Sequence, residues 1–176
     1  KPYIVVLQHP VTTEYQRIKE HIKETVKALL KIDIQVIWLW PNVDAGSNHV
    51  SKTLRRIREI KKPKNIVWQK NYTPEDYLRL IYNSKCIVGN SSSAIREGSY
   101  LGIPAVNIGE RQRFRENGSN VTNVKYNEHQ ILKAIKKQLK IKKFRRNNLY
   151  GNGNAGKKIV QILSTINYDI IKKLNY

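Results

Sequence analysis

Methionine is absent, and only one cysteine, two phenylalanines and 13 acidic residues stand in a chain of 176. The lone Cys86, set in an apolar run, can form no internal disulfide, which fits a reducing cytoplasm. No stretch of about eighteen apolar residues occurs, so no membrane span is expected. One Cys and four scattered His cannot supply the ligand spacing of a zinc site, so no metal is expected. The phosphate loop of ATPases and the G-x-G-x-x-G of dinucleotide enzymes are both missing. A signal-peptide pattern is missing too. The chain opens directly on strand-like Lys1-Pro2-Tyr3-Ile4-Val5-Val6-Leu7, which reads as the start of a fragment cut from a longer protein.

Base is as plentiful as acid is scarce: 33 Lys and Arg against 13 Asp and Glu leave a formal net charge of +20. Such an excess invites an anionic partner such as nucleic acid, a membrane surface or phosphate. It is also what a solvated surface looks like in a Lys-rich composition. The charge gathers in 52–64 and 133–146, both at helical spacing and without the interleaved aromatics of a base-stacking surface. The solvated face is the preferred reading, and no specific nucleic-acid partner is expected.

The length suffices for one domain with a real core, here taken as 1–176. Short β-branched apolar runs predict strands over 3–7, 35–40, 65–69, 86–89, 105–108 and 121–124. Amphipathic patterns predict helices over 14–31, 51–61, 74–83, 94–101 and 127–139, with a last one from about 156 to 173. This alternation is the signature of an α/β, Rossmann-like, doubly wound parallel sheet. Helix starts agree. Thr13-Glu14-Tyr15-Gln16 reads as a capping box, and Thr73-Pro74-Glu75-Asp76 as a cap with proline at the first position. Leu101-Gly102 reads as a helix stop. The stretch 140–154 reads as a basic, then Gly/Asn-rich connection.

In open parallel sheets ligands sit beyond the C-terminal strand ends, where loops enter helices. Candidate residues fall there. Gly89-Asn90-Ser91-Ser92-Ser93 follows the fourth strand: the glycine admits close backbone approach, and the serines offer hydroxyls where free amides favour a phosphate. Arg111, past the fifth strand, could clamp the same anion, and Glu97 could accept from ribose hydroxyls. The competing reading is that the serines merely cap the helix and Glu97 pairs with a surface Lys. His9, just past the first strand and beside Pro10, could donate to a diphosphate or do acid–base work near neutral pH, although a lone histidine is more often structural.

Taken in order, Leu7-Gln8-His9-Pro10-Val11-Thr12-Thr13, Pro41-Asn42-Val43-Asp44-Ala45-Gly46-Ser47, Gly89-Asn90-Ser91-Ser92 with Arg96-Glu97, Ile108-Gly109-Glu110-Arg111-Gln112 with Arg115-Glu116-Asn117-Gly118, and Tyr150-Gly151-Asn152-Gly153-Asn154-Ala155 resemble one family. It is the hydrolysing UDP-N-acetylglucosamine 2-epimerases of the sialic-acid pathway. The resemblance covers nearly the whole chain. It implies the C-terminal, UDP-binding half of a glycosyltransferase-B-type two-domain fold, with the N-terminal catalytic half lying outside this chain. It also implies a cytoplasmic enzyme that eliminates UDP from the sugar and hydrates the glycal to N-acetylmannosamine, without metal or cofactor. His9 would touch the diphosphate and help UDP depart, and is the catalytic candidate. Ser91 and Ser92 would hold the phosphates and Glu97 the ribose. Asn42 and Arg111 match nucleotide-contacting positions, and Tyr72, in the stretch 70–72, would face the uracil. Pro10-Val11-Thr12-Thr13 after the histidine points to the hydrolysing branch, since the non-hydrolysing enzymes carry an Arg-Arg-Glu-Asn-type run there. The partners implied are UDP or UDP-N-acetylglucosamine and the N-terminal half, with room for a homo-oligomer of the full-length enzyme. The fragment alone is expected to be inactive.

Two other readings stand beside this one. A UDP-sugar-dependent glycosyltransferase C-domain shares the fold and the ribose-gripping Glu, but not the Leu-Gln-His-Pro-Val-Thr-Thr and Asp-Ala-Gly-Ser runs. A basic nucleic-acid-binding module accounts for the charge, but gives no reason for the motifs at the strand ends.

Overall fold

A computed structural model describes residues 1–167. Six strands, β1 (Tyr3–Leu7), β2 (Gln35–Leu39), β3 (Ile66–Gln69), β4 (Ile87–Gly89), β5 (Ala105–Ile108) and β6 (Val121–Val124), form one sheet in the order β3-β2-β1-β4-β5-β6. Every pairing is parallel. The expected Rossmann-like doubly wound sheet is the one observed.

Period-two alternation sends Ile4 and Val6 to one face and Val5 to the other, and each face finds its own cover. Beneath Ile4 and Val6 pack α1 (Ile18–Leu29), α2 (Ser47–Lys61) and α5 (Glu128–Gln138), through Ile22, Leu54 and Ile131. On the other face lie α3 (Pro74–Asn83) and α4 (Arg96–Leu101), with Ile81 and Ile103 against Val5 and Ile87. Burial of a branched side chain contributes roughly 1.5–3 kcal/mol, so these two layers fix which strand neighbours which.

Several local expectations are corrected. No capping box forms at Thr13. Residues Thr12–Arg17 make a 3₁₀ segment with no side-chain cap, Glu14 leaves helical geometry at φ −118° and ψ 25°, and α1 begins only at Ile18. The break turns the Glu14 carboxylate toward the buried His21, 3.7 Å away, a contact that a regular helix from residue 14 would not deliver. Helix α2 starts at Ser47 rather than 51, because Gly46 takes φ 91° and turns the chain into the helix earlier. Helix α4 is short, preceded by a 3₁₀ turn at Ser92–Ala94. At Thr73 the cap forms as expected, its hydroxyl accepting from the Asp76 amide at 3.3 Å.

The connection over 140–154 is tied down rather than loose. Phe144 N donates to Gly102 O at 2.8 Å and Asn147 N to Ser99 O at 3.0 Å. Lys143 and Arg146 stack over Tyr82 and Tyr100. A Cβ on Gly102, which ends α4 in the left-handed region, would run into the Phe144 carbonyl. Beyond it α6 (Ala155–Thr165) buries none of its residues and shows Ile159, Val160, Ile162 and Leu163 to solvent. The remainder of the helix expected to 173 lies outside the described residues.

Candidate functional site

The strand order reverses between β1 and β4, the place where a doubly wound sheet opens a crevice at its C-terminal edge. The last paired residues there are Leu7 and Gly89. Gly89 sits at φ 133°, and a Cβ on it would collide with the Leu7 carbonyl, so only glycine lets the two strand ends come this close. Asn90 follows, fully buried. Its side chain accepts from His9 N at 2.7 Å and donates to His9 O at 2.9 Å, which brings the loops after β1 and β4 together.

His9 is thereby fixed at the mouth of the crevice, 6% exposed. The Asn42 amide donates to its Nδ1 at 3.3 Å, which places the proton of the neutral ring on Nε2. Burial first, and then the Arg111 charge, push its pKa down to about 4, against a smaller opposing pull from Asp44. The unliganded imidazole is thus a neutral Nε2–H donor, below the near-neutral acid–base range expected of it. A diphosphate placed beside it would supply the counter-charge it lacks and raise its proton affinity.

The loop after β5 closes on the same place. Arg111 Nη1 and Gln112 Nε2 both donate to Asn90 O, at 3.2 and 2.9 Å. Arg111 is otherwise exposed, and its remaining donors have no partner among the described residues. Behind them Tyr126 stacks flat on His21, ring centroids 3.6 Å apart, its phenol pushed up to about 12 chiefly by burial. The Tyr126 ring fills the space a side chain on Gly109 would need.

Ser91 caps the 3₁₀ turn, its Oγ accepting from Ser93 N at 3.4 Å and lying 3.0 Å from Ser93 Oγ. Ser92 is half-exposed and its hydroxyl has no partner among the described residues. Capping and ligand binding are therefore compatible, since the cap uses Ser91 as acceptor and leaves Ser92 free. Glu97 makes no ion pair or hydrogen bond among the described residues. It lines an open groove of about 530 Å³ with Arg96, Tyr100, Asn147 and Tyr150.

Of the residues named from sequence, the structure brings His9, Ser91 and Arg111 together around Asn90, with Asn42 reaching His9 through its backbone. Glu97 lies in the neighbouring groove. Tyr72 stands apart after β3, half-buried against the second core layer. The central connector, Asn90, was visible only as part of a motif. Gln112 likewise stood only inside a motif, and Tyr77 and Tyr126 carried no signal that separates them from helix and loop positions. Among the described residues no group of three His, Cys, Asp or Glu converges as a metal site would require. None of the described helices is long and apolar enough to cross a membrane.

The family model described as UDP-N-acetylglucosamine 2-epimerase matches residues 1–164. The chain belongs to that family. Among curated relatives, it is 30% identical over 177 residues to the UDP-N,N'-diacetylbacillosamine 2-epimerase (hydrolyzing) of Legionella pneumophila, covering 99% of this chain and 46% of that protein. It is 28% identical over 165 residues to the UDP-N-acetylglucosamine 2-epimerase of Neisseria meningitidis, covering 94% of this chain and 43% of that one. This family member therefore spans a little under half the length of those relatives. A solved structure of the Methanocaldococcus jannaschii UDP-GlcNAc 2-epimerase, in complex with UDP-GlcNAc and UDP, superposes on 93% of this chain and 45% of its own. The TM-score is 0.70 at 22% identity, a likeness of fold.

Proposed function

We propose that this chain is the C-terminal, nucleotide-binding half of a hydrolysing UDP-N-acetylglucosamine 2-epimerase. The observation that carries the reading is the convergence of His9 and Arg111 on Asn90, the residue before Ser91, at the β1–β4 crevice in a chain of this family. His9 Nε2–H and Arg111 meet the diphosphate, the Ser91 and Ser92 hydroxyls complete its cradle, and Glu97 accepts from the ribose hydroxyls. Tyr72 and the backbone before it border the uracil.

In the full-length enzyme the C2 proton of the sugar is taken by a group of the other half while the C1–O bond breaks. UDP leaves with that electron pair, and a glycal remains. Water then adds across the double bond, hydroxyl at C1 and hydrogen at C2 from the opposite side, giving free N-acetylmannosamine with C2 inverted. The contribution of this chain is to hold and neutralise the departing diphosphate, the charge that grows in the transition state. No metal is needed for a step driven by fixed donors. Pro10-Val11-Thr12-Thr13 after the histidine and the word hydrolyzing in the Legionella relative's name support the hydrolysing branch over the non-hydrolysing one. The names of the two relatives divide between N-acetylglucosamine and a diacetamido sugar, so both are substrates to try. A cytoplasmic location belongs to the same proposal.

The test has two parts. UDP titrated into this chain should bind saturably, and Ser91→Ala or Glu97→Ala should weaken it. The full-length protein should release free UDP and N-acetylmannosamine from UDP-N-acetylglucosamine without any acceptor, whereas a glycosyltransferase would require one. Production of N-acetylmannosamine by this chain alone would overturn the assignment of the proton-moving groups to the other half. A short DNA duplex that binds tightly while UDP does not, with affinity collapsing between about 50 and 200 mM salt, would make the basic surface the functional feature.

A further inference from the structure

Three hydroxyls stand in line beside the crevice. Tyr77 Oη lies 2.6 Å from Ser93 Oγ, which lies 3.0 Å from Ser91 Oγ. Each hydroxyl has one proton to give, so three groups joined by two hydrogen bonds leave one proton over, at one end or the other. Among the described residues Tyr77 Oη has no partner but Ser93. A phenol is a stronger acid than a serine hydroxyl and so the better donor, and with its proton turned away from Ser93 it would meet no acceptor among the described residues. Ser91 Oγ already accepts from the Ser93 amide at 3.4 Å and stands at the crevice. The surplus proton then falls to Ser91, where it has no protein acceptor among the described residues and is left for an oxygen in the crevice.

We propose that Tyr77 is a positioning residue of the nucleotide site: it donates to Ser93, Ser93 donates to Ser91, and Ser91 thereby presents its hydroxyl hydrogen to a diphosphate oxygen. The inference rests on the reading of the crevice as a diphosphate site. Tyr77 itself touches no ligand. It acts by fixing which way the serine hydroxyls point before the ligand arrives, and hydrogen bonds in series strengthen one another in a site of low polarity. The Glu97 charge adds to the rise in the Tyr77 pKa, so the phenol and the carboxylate feel one another. In the sequence Tyr77 occupies an inward position of α3 that a phenylalanine would fill equally well, and only its hydroxyl makes the difference.

Calorimetric titration of UDP into the wild-type chain, Tyr77→Phe, Ser91→Ala and the double variant tests this. Tyr77→Phe keeps the ring and should weaken UDP about three- to tenfold. In the Ser91→Ala background the same substitution should change nothing, because the relay no longer ends in a donor. Ser93→Ala cuts the relay midway and should match Tyr77→Phe. It also carries the comparison should thermal melts show Tyr77→Phe to be unfolded. Unchanged affinity in Tyr77→Phe, or an equal loss with and without Ser91, would overturn the proposal and make Tyr77 a packing residue. A wild-type chain that fails to bind UDP at millimolar concentration would instead overturn the diphosphate reading on which the relay depends.

Discussion

The side-chain amide of Asn90 meets the peptide group of His9 face to face, accepting from its N–H at 2.7 Å and donating to its carbonyl at 2.9 Å. It acts as one more rung of the β1–β4 ladder, beyond the pairing of Leu7 with Gly89. The Asn90 backbone carbonyl takes hydrogen bonds from Arg111 and Gln112. One buried residue thus joins the loops after β1, β4 and β5.

Asn90→Ala should cost about 2–3 kcal/mol in chemical denaturation, because it leaves the buried peptide group of His9 without partners. Asn90→Asp should cost more, since it turns a donor into an acceptor facing the His9 carbonyl and adds a buried charge. A variant as stable as wild type would show that water replaces the amide.

Acid should destabilise the fold in a defined window. The His9 pKa falls from 6.5 to about 4 on folding, so the unfolded chain takes the proton first. The stability gained by keeping His9 neutral is whole above pH 6.5 and is lost as pH falls toward 4, by on the order of 3 kcal/mol at the acid end. His21 is shifted in the same direction, chiefly by burial, and adds to the effect. Melting temperature measured against pH should drop through this window in wild type and less steeply in His9→Gln.

Gly89→Ala should cost at least about 3 kcal/mol, since it adds a clash with the Leu7 carbonyl to a backbone geometry that L residues avoid. Far-UV circular dichroism with urea titration checks it. Gly151→Ala is the control. That glycine also has positive φ, at 109°, but nothing lies within 4 Å of an added Cβ, so the cost should be only that of the dihedral.

Glu97→Ala should separate binding from stability. The carboxylate has no partner among the described residues, so its loss should change stability by less than about 1 kcal/mol, the helix-dipole contribution of an acid in a first turn. UDP affinity should fall about tenfold, the worth of the ribose hydrogen bonds. An unchanged affinity would remove Glu97 from the site.

The sheet was legible because β-branched runs such as Tyr3–Leu7 and Ala105–Ile108 are bounded by polar loops and have no competing helical period. The capping box at Thr13 misled because the pattern is local, whereas Glu14 answers to His21 on the next turns of the chain. His9 and Ser91 could be named from their place after strands. Their connector could not, because the importance of Asn90 lies in a partner 81 positions away that no local pattern encodes. Tyr77 was hidden for a similar reason: its ring obeys the amphipathic period of α3, and its hydroxyl obeys Ser93.

Strand β1 lies inside the sheet, between β2 and β4, and the chain must run through two further strands and three helices before β4 exists to cover its second edge. No short hairpin nucleates this pairing, and closing so long a loop is slow. Until β4 docks, β1 carries one edge of unpaired backbone groups, and the crevice takes shape only with that docking. On the proposed function, a nucleotide held across the crevice binds only the state in which β1 and β4 are paired, and so acts as a clasp on that long-range contact.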